Sequence, residues 1–271
     1  MKLVTYHRDG ETRAGSLEGE TVVDLGPSML DVLANGIPLD DDSSTRYALG
    51  DVRLLAPLPR PGKLLACAGN YQEHIAEGGG IAVDKTRSIP RLFIKPVTTL
   101  LGPDEPLRLP QLSREVDWEL ELGAVIGFDG AVAGYVIVND VSARSIDWGI
   151  DRNVVEWDTF FDWLNGKWFD GFAPIGPWIA TPDEIPDPHD LRLELRVNGE
   201  VMQSASTSQM IFGIDELVAF AGRITTLEPG DILATGTPAG VGFASQRYLA
   251  PGDVMEGTIE GLGVLRTPVV E

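Results

Sequence analysis

The sequence predicts a mostly β chain of the α+β class, with a small N-terminal unit over residues 1–60 and a larger β-rich domain over residues 61–271. Three observations predict it. Glycine (31) and proline (19) are frequent, which favours many turns between short strands. Short apolar or alternating runs bounded by turn residues recur along the chain. Only the segment 214–223 spaces its apolar residues, Ile214, Leu217, Val218 and Ala221, as a convincing helix requires.

Taken in order, Leu3 to His7 reads as a strand, and Gly15 to Leu25 as a hairpin turning at Glu18-Gly19. Ser28 can cap a short helix carrying Met29, Leu30, Val32 and Leu33, which stops at Asn35-Gly36. Pro57, Pro59, Pro61 and Gly62 form a stiff connector at the expected domain boundary. Beyond it, Lys63–Ala68, Arg91–Lys95, Val116–Ile126 and Tyr135–Val138 read as strands. Leu191–Val197 alternates and turns at Asn198-Gly199 into Glu200-Val201-Met202. Pro229-Gly230-Asp231 and Pro251-Gly252-Asp253 each fit a type II turn opening a strand.

Composition narrows the function. A net charge of −20 repels phosphate backbones and anionic lipid, so neither nucleic acid nor a membrane is an expected partner. A single cysteine, Cys67, excludes an intrachain disulfide and a thiolate metal cluster. The first ten residues lack the apolar core of a secretion signal, and no run is long enough to span a bilayer, so a cytoplasmic location is expected.

The strongest chemical signal is Val116-Asp117-Trp118-Glu119-Leu120-Glu121-Leu122. Strand periodicity puts the apolar residues on one face and the three acids on the other. Taken alone, this is the solvated face of an edge strand. The next strand argues otherwise: Gly134 to Val138 is apolar on both faces, as a buried strand is, and it ends in Asn139-Asp140. With a turn at Phe128-Asp129, Asp140 comes opposite Asp117 and beside Glu119. Glu119, Glu121 and Asp140 then suit a hard divalent cation, Mg²⁺ or Mn²⁺, leaving coordination positions for water or a bidentate substrate.

Three further segments carry chemistry. In Tyr71-Gln72-Glu73-His74-Ile75-Ala76-Glu77, His74 and Glu77 are helical neighbours, and Glu77 can orient His74 as a general base. The plainer reading is a chance pair on a surface turn, beside the hinge Gly78-Gly79-Gly80. Lys167 is one of five lysines, set between Gly166 and Trp168, and is a candidate partner for an oxyanion or carboxylate. The run Thr235-Gly236-Thr237-Pro238-Ala239-Gly240 exposes backbone amides that suit an anion, but lacks the Lys-Ser/Thr pair of a nucleotide-binding loop.

Together these segments resemble the fumarylacetoacetate hydrolase family. The matching pieces are Asn70-Tyr71 with His74, Leu92-Phe93-Ile94-Lys95-Pro96, Asp117 to Leu122, Asn139-Asp140-Val141-Ser142-Ala143-Arg144, Gly166 to Asp170, Val197 to Glu200, and Thr235 to Gly242. They fall in order across residues 63–265. The resemblance implies a mixed β-roll domain, a homodimer, and Mg²⁺ or Mn²⁺ at Glu119, Glu121 and Asp140. It implies a water-activating pair at His74 and Glu77, with Glu256 as the rival partner of His74. Lys167 and Thr237 match substrate-contacting positions, with Tyr71 and Gly236 beside them as substrate-binding candidates.

Two departures concern the substrate. Asp147 stands where some members carry glutamine, and residues 148–164 form an expanded aromatic stretch. The implied reaction is metal-assisted enolate chemistry on a small 2-oxo acid, with hydrolysis of an acylpyruvate favoured. Isomerisation of 2-hydroxyhepta-2,4-diene-1,7-dioate comes next, then oxaloacetate decarboxylation or tautomerisation. A non-catalytic metal- or ligand-binding β-roll is the reading of a different class.

Overall fold

The computed structural model describes residues 1–36 and 44–271. The chain folds around a twelve-stranded mixed sheet. Its centre runs in the spatial order Ala173–Ala180, Val132–Asn139, Leu120–Ile126, Ile232–Ala234, Leu64–Ala68 and Arg91–Lys95. The N-terminal strands Lys2–Arg8, Glu11–Glu18, Thr21–Gly26 and Arg46–Ala48 continue it, with Leu3 registered against Ile179. A five-stranded sheet, ordered Glu200–Ser206, Arg192–Val197, Val254–Ile259, Gly263–Val270 and Leu107–Arg108, packs on one face. Among the described residues no helix is long and apolar enough to cross a membrane.

The two faces of the main sheet bury different cores, which explains the doubly apolar strand Val132–Asn139. Tyr135 and Ile137 join Leu120, Leu122, Leu193, Leu195 and Met255 between the sheets. Val136 and Val138 join Val125, Ile175 and Ile232 on the other face, which the helix Met29–Asn35 covers with Met29, Val32 and Leu33. Ser28 caps that helix, accepting from the Asp31 amide at 3.3 Å. The mostly β, α+β reading stands, and Leu120–Ile126 lies between two neighbours, not at an edge.

Three local expectations need correction. The first hairpin turns at Gly19-Glu20, one residue late, because Glu18 pairs with Thr21 and Gly19 takes the positive φ of 58° that the turn needs. The register between Leu120–Ile126 and Val132–Asn139 is shifted by two residues: Asp117 opposes Ser142, and the Asp140 amide bonds the Glu119 carbonyl at 2.8 Å. One residue of the shift comes from the loop, closed by the Gly127 amide on the Ala131 carbonyl, and one from the irregularity at Val125/Ile126. An even shift keeps every side chain on its face, so the carboxylates still converge. Finally, Glu156–Asn165 is a helix that the sequence reading did not assign. The Asp158 side chain caps it by accepting from the Val155 amide at 2.9 Å, while its outer aromatic face stays exposed and blurs the amphipathic pattern.

Candidate active site

The site forms where the ladder between the two central strands breaks. Trp118 and Glu119 lie outside regular pairing, and borrowed partners satisfy their neighbourhood: the Asn139 side chain accepts from the Glu119 amide at 2.8 Å, and Gln203 accepts from the Leu120 amide at 2.9 Å. Glu119 and Glu121 stand two residues apart on one side, with Asp140 directly across from Glu119. All three are buried, and one carboxylate oxygen from each lies within 4.8 Å of the others. Asp117 turns elsewhere. It bonds Arg144 and accepts from the Gly242 and Phe243 amides at 2.6 and 2.9 Å, anchoring the glycine-rich loop.

Three cations balance these acids, Lys95 and Lys167 buried and Arg144 half-buried. Lys167 Nζ bridges Glu119 and Asp140 at 2.8 and 2.7 Å, and Lys95 Nζ bonds Asp140 and the Val141 carbonyl. Arg144 Nη2 reaches Glu119 at 2.6 Å and Asp117 at 2.7 Å. Lys167 was expected to meet substrate, and the structure sets it among the carboxylates themselves. Lys95 and Arg144 were passed over as site residues. The available signal was a lysine ending the apolar run Leu92-Phe93-Ile94, and an arginine four residues beyond Asp140.

The balance is incomplete, with four acids against three cations. Burial raises the Glu119 carboxyl, but Lys167, Arg144 and His74 outweigh that and hold it well below the usual range. Glu121 is the reverse: burial, then Asp140 and Glu119, push it well above the usual range. Among the described residues, its single hydrogen bond comes from the Gly236 amide at 2.7 Å. The Tyr71 hydroxyl, within electrostatic reach of Glu121, is buried with no partner among the described residues. Hard oxygen donors, one uncompensated carboxylate and an orphaned hydroxyl fit a divalent cation with its bound water or substrate.

His74 and Glu77 come from the helix Gln72–Glu77, with His74 Nδ1 and Glu77 Oε1 at 2.8 Å. The Gly240 amide donates to the other Glu77 oxygen at 2.8 Å, tying this helix to the loop that Asp117 anchors. A carboxylate on Nδ1 selects the tautomer whose Nε2 is a free base. Glu256 sits instead on Val254–Ile259, registered against Arg266. The Thr237 hydroxyl donates to the Leu120 carbonyl at 2.9 Å and accepts from Gln203 at 2.8 Å, so it is committed to the framework. At Gly236, φ is +96° and an added Cβ would meet Asn70 Cβ at 2.7 Å, so only glycine brings this amide to Glu121.

Residues 63–270 match the family model described as "Fumarylacetoacetate (FAA) hydrolase C-terminal". The mitochondrial oxaloacetate tautomerase of Xenopus laevis is 38% identical over 260 residues, covering 92% of this chain and 77% of that protein. Among solved structures, the fumarylacetoacetate hydrolase of Exiguobacterium antarcticum superposes with a TM-score of 0.82 at 35% identity, covering 100% of this chain and 99% of that one. The maleylpyruvate hydrolase of Sphingobium sp. SYK-6, solved with manganese(II) and pyruvate, superposes with a TM-score of 0.78 at 29% identity, covering 100% and 99%. The pattern first read from the residues is thereby matched along residues 63–270, and the chain belongs to the fumarylacetoacetate hydrolase family, as one of its enzymes acting on oxo acids.

Proposed function

We propose that the chain is a divalent-metal-dependent tautomerase of a small 2-oxo acid, with oxaloacetate as the first substrate to test. The observation that carries this reading is the buried Glu121 carboxyl, uncompensated beside Glu119 and Asp140. Glu119, Glu121 and Asp140 would hold Mg²⁺ or Mn²⁺, and the ion when bound supplies Lewis-acid stabilisation of enolate charge. Lys167 and Arg144 hold Glu119 ionised as a ligand, and Lys95 and Lys167 fix Asp140 by hydrogen bonds. His74 Nε2 moves the proton at the carbon next to the 2-oxo group, and Glu77 stabilises the imidazolium that results. The Tyr71 hydroxyl donates to the substrate or to a water beside Glu121, and Gly236 holds Glu121 in place. Thr237 braces the loop over this space.

Acylpyruvate hydrolysis is the reaction that the family resemblance favoured. The identity to oxaloacetate tautomerases supports placing the proton shift ahead of it. Hydrolysis is the second reading, favoured by the His74–Glu77 pair, which also suits removal of a proton from water. Ultraviolet decay of enol-oxaloacetate, compared with acetylpyruvate cleavage, separates the two. Tautomerisation predicts Mn²⁺-dependent acceleration that a chelator abolishes. A rate equal to buffer with either metal overturns it. The homodimer and cytoplasmic residence are kept as proposals, the dimer tested by sedimentation.

A further inference from the structure

We infer that the cavity beside Arg144 is a subsite for the end of the substrate remote from its 2-oxo acid group, and that it selects a flat, apolar substituent there. This rests on the 2-oxo acid reading and goes beyond oxaloacetate, whose far end is a carboxylate, to a larger 2-oxo acid as a further substrate. The cavity holds about 480 Å³ and is lined by Ala143, Arg144, Ile146, Thr159, Trp163 and Phe243, among others. Pockets of roughly 300–1,000 Å³ take drug-sized molecules. A four-carbon acid anchored at Glu119, Glu121 and Asp140 leaves this space unused.

Two walls are shared with the carboxylate centre. Arg144 lines the cavity while its Nη2 bonds Glu119 at 2.6 Å. Trp163 lines it while its ring centroid stands 5.9 Å from Lys167 Nζ. Phe93 meets Trp163 edge-on at 5.1 Å and lies 5.4 Å from the same Nζ. The cavity therefore begins where the ion-binding residues end. Its far wall, Thr159 and Trp163, comes from one face of the helix Glu156–Asn165, four residues apart.

The lining chemistry points to a π-rich group over a second carboxylate. Of the two charged lining residues, Arg144 already meets both Asp117 and Glu119, and Asp162 is paired with Arg152. A further carboxylate would find no unpaired cation among the lining residues and would meet the Asp162 carboxylate. The planar surfaces on offer are the Trp163 ring and the Phe243 ring, which lies 5.9 Å from the Arg144 guanidinium. Rings and guanidinium faces attract flat unsaturated groups beyond simple burial.

The test uses two acids with one head group, 4-phenyl-2,4-dioxobutanoate and 2,4-dioxopentanoate, with the Mn²⁺-loaded full chain. KM for the phenyl acid should be lower by roughly tenfold. Trp163→Ala and Phe243→Ala should each shrink that ratio to about twofold, and Trp163→Phe should keep most of it. Calorimetric affinities for the same pair read the subsite without turnover. If neither acid reacts, the hydrolytic reading fails on its own, yet tighter phenyl binding that Trp163→Ala removes still supports the subsite. Equal wild-type affinities overturn it, as does a phenyl preference that survives in the alanine variants. Should Trp163→Ala fail to fold, by its thermal transition, Phe243→Ala decides.

Discussion

Near the N-terminus, Asp24 meets one cation: Arg13 reaches it through Nε and Nη2, and the Tyr6 hydroxyl and Gly26 amide complete its shell. At the centre of the main sheet, four carboxylates meet three cations, and Glu121 is left with one amide. Both clusters are tightly hydrogen-bonded, and they differ in closure. The first needs nothing more, so its role is to hold the strands Lys2–Arg8, Glu11–Glu18 and Thr21–Gly26 together. The second leaves the Glu121 carboxyl held against ionisation by burial and by Asp140 and Glu119, a cost that a ligand bringing the missing positive charge would relieve. Closure, more than the number of salt bridges, separates a structural cluster from a site.

The sharpest way to break that contrast is to remove a ligand. Glu119→Gln, Glu121→Gln and Asp140→Asn should each lower kcat/KM by about 10⁴-fold, the several kcal/mol of charge stabilisation an ion supplies. Steady-state kinetics with Mn²⁺ reads this, and a loss under tenfold would show that the cluster is structural after all. His74→Ala should cost about 10²–10³-fold, with calorimetric Mn²⁺ affinity changing less than about twofold, since its role is proton transfer.

Asp24→Ala tests the other side. It leaves Arg13 and Tyr6 without their acceptor and should lower stability by about 2–3 kcal/mol, read by urea titration, while kcat/KM at 25 °C stays within about twofold. The pH dependence has a definite sign. Arg13 holds the Asp24 carboxyl below its ordinary value, so its stabilisation is present above about pH 4 and is lost as pH falls through the lowered value. Asp24→Asn should therefore flatten the acid limb of Tm against pH. A variant with an unchanged limb would assign acid unfolding elsewhere.

Mn²⁺ at a hundredfold excess over its Kd should stabilise the wild type by about 2.7 kcal/mol and leave Glu121→Gln nearly unmoved, read as the shift in Tm. The smallest effect belongs to Tyr71→Phe. It deletes a buried hydroxyl without a partner among the described residues, so stability should hold while KM rises by roughly fivefold, about 1 kcal/mol of hydrogen bonding. Loss of stability in that variant would place the hydroxyl in the framework.

Much of this was legible before any coordinates, because it is local. Period two separated Leu120 and Leu122 from Glu121, and the two cores keep that separation. Ser28 as a cap, Asn198-Gly199 as a turn and the two Pro-Gly turns follow from backbone preferences of single residues. His74 and Glu77 met because three residues make one helical turn. The composition of the acidic cluster was likewise readable from where a buried strand ends in acids.

What the amino-acid order determined, then, is the set of faces, turns and acidic positions, since each depends on neighbours a few bonds away. Only the tertiary structure decided that Asp140 faces Glu119 and not Asp117, through a loop and an irregular pairing whose two shifts add. It also decided that Lys95 and Lys167, 45 and 27 residues away, converge on Asp140. Such pairings depend on how separate strands pack, and a lysine bears no local mark of the carboxylate it will meet. The imbalance at Glu121 exists only once the cations have been placed, because it depends on which acids they reach.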